Sequence, residues 1–156
     1  MSIDRMLKGH DLFRSLTVEE ANQLSGFSSV KKYEANETVF KYNGLGLHVY
    51  MLMEGSVYLR LPASPPDFSF VISKIEKGEL FGLSPLLGSE RYTAAAECSK
   101  ASEVLSIEAK PFRELLQKNC PVGFQIMSQV ADIYFTRYIS VLKNLQGVVN
   151  QIPLIR

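Results

Sequence analysis

Tryptophan is absent from this chain, and histidine and cysteine occur only twice each. His10 and His48 are too far apart in sequence, and too few, to supply the donor set of a metal centre, so no metal is expected. Cys98 and Cys120 form no C-x-x-C pair, which excludes a zinc knuckle and a disulfide framework and fits a reducing, cytoplasmic setting. Neither stands among basic residues, so both read as small hydrophobes rather than redox sensors. An excess of one charge is missing too. Seventeen basic residues against sixteen acidic ones leave +1, too little for a phosphate-backbone footprint, and direct nucleic-acid binding is not expected. Long apolar runs are also lacking: no window reaches the roughly 18 to 20 uncharged residues that a bilayer span requires, so no membrane partner is expected. Asp4, Arg5 and Lys8 interrupt the N-terminal stretch where an export signal would be apolar. The sequence contains no G-x-S-x-G, H-E-x-x-H or P-loop, and no carboxylate pair stands out, so catalytic residues and enzyme activity are not expected.

What is present is a globular composition. Hydrophobic residues make up 46% and charged residues 21% of 156, which predicts a single domain over residues 1–156 with one main core. Residues 1–25 read as short helices, because Met6, Leu7, Leu12, Phe13 and Leu16 recur at helical spacing. Thr17 opens a further helix. Its hydroxyl and the Glu20 carboxylate, three residues apart and followed by Ala21 and Leu24, have the pattern of a capping box.

From residue 26 the period changes to two. β-rich runs at 30–33, 38–42, 48–53, 56–61 and 68–75 are broken by Asn36, Asn43-Gly44 and Glu54-Gly55, while Pro62, Pro65 and Pro66 mark a longer connection. A further pair follows at 92–98 and 102–107. Short strands at such intervals predict an antiparallel β roll, a jelly roll of about eight strands, over residues 26–108. Between the strand groups lies Gly78-Glu79-Leu80-Phe81-Gly82-Leu83-Ser84-Pro85-Leu86-Leu87-Gly88, followed by Arg91. Pro85 fits the first turn of a very short helix starting near Leu83, where backbone N–H groups can face an anion.

Residues 109–149 return to a helical pattern, with Pro111 and Pro121 each at a first turn. Met127, Ala131, Tyr134, Tyr138, Val141, Leu145 and Val148 follow one another in steps of 4 and 3, a heptad seam. A second stripe, Phe124, Phe135, Ile139 and Leu142, flanks it. One roll cannot cover both, so the helix is expected to pack one stripe on its own roll and the seam on a two-fold partner, giving a homodimer.

A roll, a Gly-x-x-Phe-Gly turn, an arginine after it and a long C-terminal helix together resemble the cyclic-nucleotide-binding domain of the catabolite-activator (Crp/Fnr-like) family, from about Leu12 to Leu145. Tyr50 to Leu59 resembles the family's strand-Gly-strand hairpin, with Gly55 as the turn glycine. Residues 78–94 resemble its phosphate-binding cassette. The resemblance implies a regulatory module binding cAMP, cGMP or a related phosphorylated small molecule. It implies close backbone approach at Gly82, N–H groups of Leu83 and Ser84 facing the sugar-phosphate, a guanidinium fork from Arg91, a hydrogen bond from Tyr92 or Thr93, and a base near Arg137 and Tyr138. The chain departs from the family at Leu83, which stands where a glutamate accepts the ribose 2′-hydroxyl, a loss of about 1.5 to 3 kcal/mol; the loop between Leu86-Leu87 and Arg91 is also shorter, and Pro85 replaces a small residue. A degenerate domain that binds nothing and acts as a dimerisation or protein-interaction scaffold is the alternative. Only eight residues follow Val148, so no helix-turn-helix is expected within this sequence.

Overall fold

A computed structural model describes residues 2–63 and 69–151. The period-two region forms β1 (Ser28–Tyr33), β2 (Thr38–Phe40), β3 (His48–Pro62), β4 (Ser69–Ile75), β5 (Leu80–Phe81) and β6 (Ala95–Glu108). These make one antiparallel six-stranded sheet in the order β1-β6-β3-β4, with β2 pairing β6 and β5 pairing β3. Helices α1 (Ile3–Gly9) and α2 (Val18–Gly26) precede it, and α3 (Ala109–Lys118) and α4 (Cys120–Asn150) follow. The expected antiparallel β architecture with flanking helices is thus the observed one. The expectations at Pro65, Pro66 and Phe68 lie outside the described residues.

Among the described residues six strands stand where about eight were expected, because a glycine that looks like a turn is a bend inside a strand. Gly55 adopts φ +107 within β3, which continues to Pro62 while its pairing with β6 slips three times between Leu52 and Val57. Bulges of this kind let one strand turn a corner without ending. A Cβ at residue 55 would overlap the Ser102 hydroxyl and lie 2.6 Å from Ser102 Cα, so the neighbouring strand as well as the backbone angle demands glycine. On the other side of the corner β6 runs unbroken through residues 99–101, which merges two expected strands into one. Tyr92 falls outside it.

Alternation along β3 and β6 divides the core in two. Val49, Met51, Leu105 and Ile107 face the helices and join Leu7, Phe13, Leu24, Leu80, Phe112 and Ile126. Tyr50, Leu52 and Val104 point the other way, into the roll, and meet Phe40, Val57, Ile75, Phe81 and Tyr92. Because both faces of the sheet are covered, residues 49–52 are all buried and read as a continuous apolar run. The capping box is formed: Glu20 N–H donates to Thr17 Oγ1 at 3.2 Å, and Thr17 N–H donates to Glu20 Oε2 at 2.8 Å. Glu20 also accepts from the Asn119 side-chain amide, tying α2 to the start of α4.

α4 is anchored by residues other than those expected. Val122, Ile126 and Val130 are buried, with Ile133 and Tyr134 packed beside them. The stripe assigned to the roll does not face it: Phe124 is 78% exposed and Phe135 63%. Apolar steps of 4, 4 and 3 from Val122 to Ile133 set the buried face, whereas the longest unbroken heptad of the sequence lies to one side of it. Residues 140–150 are all exposed, since the roll ends before the helix does.

Candidate ligand-binding site

Gly82 carries the chain out of β5 with φ +64. A Cβ there would stand 2.9 Å from both Phe40 Cε1 and Tyr50 Cδ2, so the backbone lies directly on the aromatic interior of the roll. Leu83 follows in αR conformation and precedes the 3-10 turn Ser84–Leu87, with Pro85 in its first turn and Gly88 (φ +81) at its end. The short helix starting after Leu83 is therefore formed. A single four-residue turn has almost no macrodipole, so a cation elsewhere must supply most of the attraction for an anion.

A cavity of about 260 Å³ opens between this segment and α4. Gly82, Leu83, Ser84, Tyr92, Thr93, Arg137 and Tyr138 are brought together in its lining, with Phe40, Leu59, Ile72, Ala94, Tyr134 and Val141. Arg91 is the one expected site residue outside the lining. Its side chain is exposed and its Nη1 donates to the Asn43 carbonyl at 2.8 Å, while its backbone bridges Leu45. Asn43 sits at φ +60 and presents that carbonyl at the end of the β2 turn. The guanidinium that does reach the cavity belongs to Arg137, from α4.

The polar groups around the cavity are few and partly committed. The Tyr92 hydroxyl donates to the His48 carbonyl at 2.7 Å and accepts from the His48 N–H at 3.2 Å, leaving its ring to form the wall. That ring stacks on Phe40 with centroids 4.0 Å apart and planes 20° apart. Ser84 Oγ and Thr93 Oγ1 lie 3.5 Å from each other. Arg137 Nη2 donates to the Leu80 carbonyl across a long 3.4 Å, and burial pushes its pKa down against the opposing influence of Tyr134 and Glu79. Burial also raises the Tyr50 hydroxyl far above its usual value, so it remains a neutral phenol.

Of the seam residues, Met127 and Tyr134 are half-buried, and Ala131, Tyr138, Val141, Leu145 and Val148 are exposed. Tyr134, Tyr138 and Val141 thus serve the cavity wall as well as the helix surface. Phe40, Leu59, Ile72 and Ala94 had no signal as site residues, because a strand side chain that lines a pocket has the same pattern as one that fills a core. Among the described residues, no group of three metal-ligating side chains comes together, and no helix is long and apolar enough to cross a membrane.

Comparison with known proteins places these features. No curated protein matches the sequence. A candidate cyclic nucleotide-binding protein from Geobacter metallireducens GS-15 superposes with a TM-score of 0.74 at 26% identity, over 88% of this chain and 98% of that one. The sensor domain of the transcriptional regulator DNR from Pseudomonas aeruginosa shares the fold, with a TM-score of 0.73 at 18% identity over 87% and 96% of the two chains. The catabolite activator protein of Thermus thermophilus shares it as well, at 0.68 and 21%, over 87% of this chain and 62% of its own. The family described as "Cyclic nucleotide-binding domain" matches residues 30–119, from β1 past the end of α3 and more than half of the sequence. With that match covering more than half of its length, this chain belongs to the cyclic nucleotide-binding domain family.

Proposed function

We propose that the chain is a ligand-sensing regulatory module that takes up cAMP, cGMP or a related phosphorylated small molecule, and that occupancy moves α4 against the roll. The observation that carries this is the two-sided cavity: Gly82, Leu83 and Ser84 form one wall, and Tyr134, Arg137, Tyr138 and Val141 of α4 form another. A molecule that touches both walls favours one position of α4 by its difference in affinity for the alternatives. Titration calorimetry with cAMP and with cGMP tests this, alongside thermal melts. At ligand a hundredfold above Kd, stability rises by about 2.7 kcal/mol, a shift of about 5 to 11 °C for a domain of this size.

The scaffold alternative is favoured by two observations. Leu83 has no side-chain acceptor for a sugar hydroxyl, and the Arg91 side chain is exposed, outside the cavity lining, with its Nη1 on the Asn43 carbonyl. No heat and no thermal shift at millimolar cyclic nucleotide would select it over the nucleotide reading.

A two-fold homodimer through α4 is part of the proposal. Ala131, Tyr138 and Leu145 of the expected seam lie on the exposed face, and Phe135, Leu142 and Val149 complete it in steps of 4, 3, 4, 3 and 4. A second copy of the same helix is the partner whose apolar face repeats at that period. Light scattering at micromolar concentration distinguishes dimer from monomer.

A further inference from the structure

Arg137 is the one cationic side chain among the described residues lining the cavity. It is half-buried, and no carboxylate of the described residues reaches ion-pair distance of it. A guanidinium carries five N–H donors. Among the described residues it makes one long bond, to the Leu80 carbonyl, beyond the usual distance. A cation drawn out of water and left this incompletely partnered is costly unless an anion completes it. Burial depresses its pKa, as expected of such a group.

The remaining lining is mostly apolar, with Phe40, Leu59, Ile72, Ala94 and Val141 among it. Leu83 borders the cavity with its side chain buried in the helical-side core, and the Tyr92 ring is stacked on Phe40 while its hydroxyl stays bound to His48. Ser84 and Thr93 carry hydroxyls 3.5 Å apart, and Tyr134 and Tyr138 add phenol groups to the lining. The cavity is also small, just under the range of about 300 to 1,000 Å³ typical of ligand pockets.

We infer that Arg137, rather than Arg91, is the counter-charge for the ligand's anion, and that among monoanions, phosphorylated ones included, the cavity favours those with a small, largely apolar body. This rests on the reading of the cavity as the ligand site and adds the chemistry that selects the ligand. Because Arg137 belongs to α4, the anion itself becomes the tie between that helix and the roll.

The test uses 2-naphthoate and its neutral isostere 2-naphthylmethanol as probes, titrated by calorimetry into the parent chain and into Arg137→Gln, Arg137→Lys and Arg91→Gln. The parent is expected to prefer naphthoate by at least about tenfold, the worth of one charge-assisted pair. Arg137→Gln removes that preference while the neutral probe still binds, Arg91→Gln keeps it whole, and Arg137→Lys keeps part of it. Melts of the free variants check folding, and the charge-conserving lysine variant carries the comparison if the glutamine one unfolds. Equal binding of both probes by the parent, binding of neither, or a preference lost in Arg91→Gln and kept in Arg137→Gln overturns the inference. Parallel titrations with cAMP and cGMP separate it from the broader reading. Nucleotide binding that depends on Arg91 leaves that reading standing and this inference refuted, whereas naphthoate binding through Arg137 without nucleotide binding does the reverse.

Discussion

Leu83 and Leu87 bracket one 3-10 turn, yet they differ entirely in surroundings: Leu83 is 1% exposed and Leu87 53%. Truncating each to alanine therefore measures what the cassette contributes to the fold at the edge of the cavity. A fully surrounded leucine loses about 2 to 5 kcal/mol on truncation to alanine, the transfer term plus the void left behind. Leu83 packs on the helical side of the core but borders an existing cavity on the other, so fewer contacts are lost than at a leucine enclosed all round. We expect about 2 to 3 kcal/mol for Leu83→Ala, a drop in Tm of about 4 to 12 °C, and less than about 1 kcal/mol for Leu87→Ala. Urea denaturation followed by circular dichroism reads both, with an unchanged slope showing that only stability has moved. If Leu83→Ala costs no more than Leu87→Ala, the cassette does not pack as described, and its placement beside α4 fails with it.

Gly55→Ala is expected to cost about 2 to 4 kcal/mol by urea denaturation, since a Cβ at positive φ would also strike Ser102 across the corner; a loss below about 1 kcal/mol contradicts the bend. Leu145→Asp should turn a dimer into a monomer in light scattering with Tm little changed, because Leu145 is exposed and touches no part of its own roll; a variant that still dimerises refutes the α4 interface. Glu20 is held below its ordinary carboxyl value of 4.5, first by the Asn119 amide and then by the Thr17 N–H. A lowered folded pKa stabilises above the unfolded value, and that contribution is lost as pH falls below about 4.5 toward the folded value. Glu20→Gln should therefore flatten the acid side of the stability profile, and parallel profiles for parent and variant would show the link to be without effect.

Much of the fold was legible because local signals and packing agree. Thr17 and Glu20 form their capping box, Asn36 and Asn43 take the positive φ that their turns require, and Pro85 sits in the first turn of the short helix. Gly55 misled because glycine at a hairpin and glycine at a bulged corner obey the same rule, positive φ, and the distinction lies in a neighbouring strand some fifty residues away. The buried face of α4 was missed for a related reason. Val122, Ile126 and Val130 are few and ordinary, and a longer apolar repeat beside them carries the stronger sequence pattern without packing on the roll. At the site, Gly82, Leu83, Ser84, Tyr92, Thr93, Arg137 and Tyr138 come together around one cavity because the order of elements brings the segment after β5 against α4. Arg91 did not join it because a competing acceptor, the Asn43 carbonyl, depends on a turn whose geometry no spacing rule specifies.

The absence of tryptophan offers the most direct test of ligand binding between roll and helix. Val141 lies on α4 at the cavity wall and is 48% exposed, so Val141→Trp adds a single indole reporter where the bound ligand meets the moving element. Titrated with cAMP, cGMP and 2-naphthoate, this variant should show a saturable change in emission with at least one of them. No change with any of the three up to millimolar concentration, in a variant that melts like the parent, would contradict the account and leave the scaffold reading in its place.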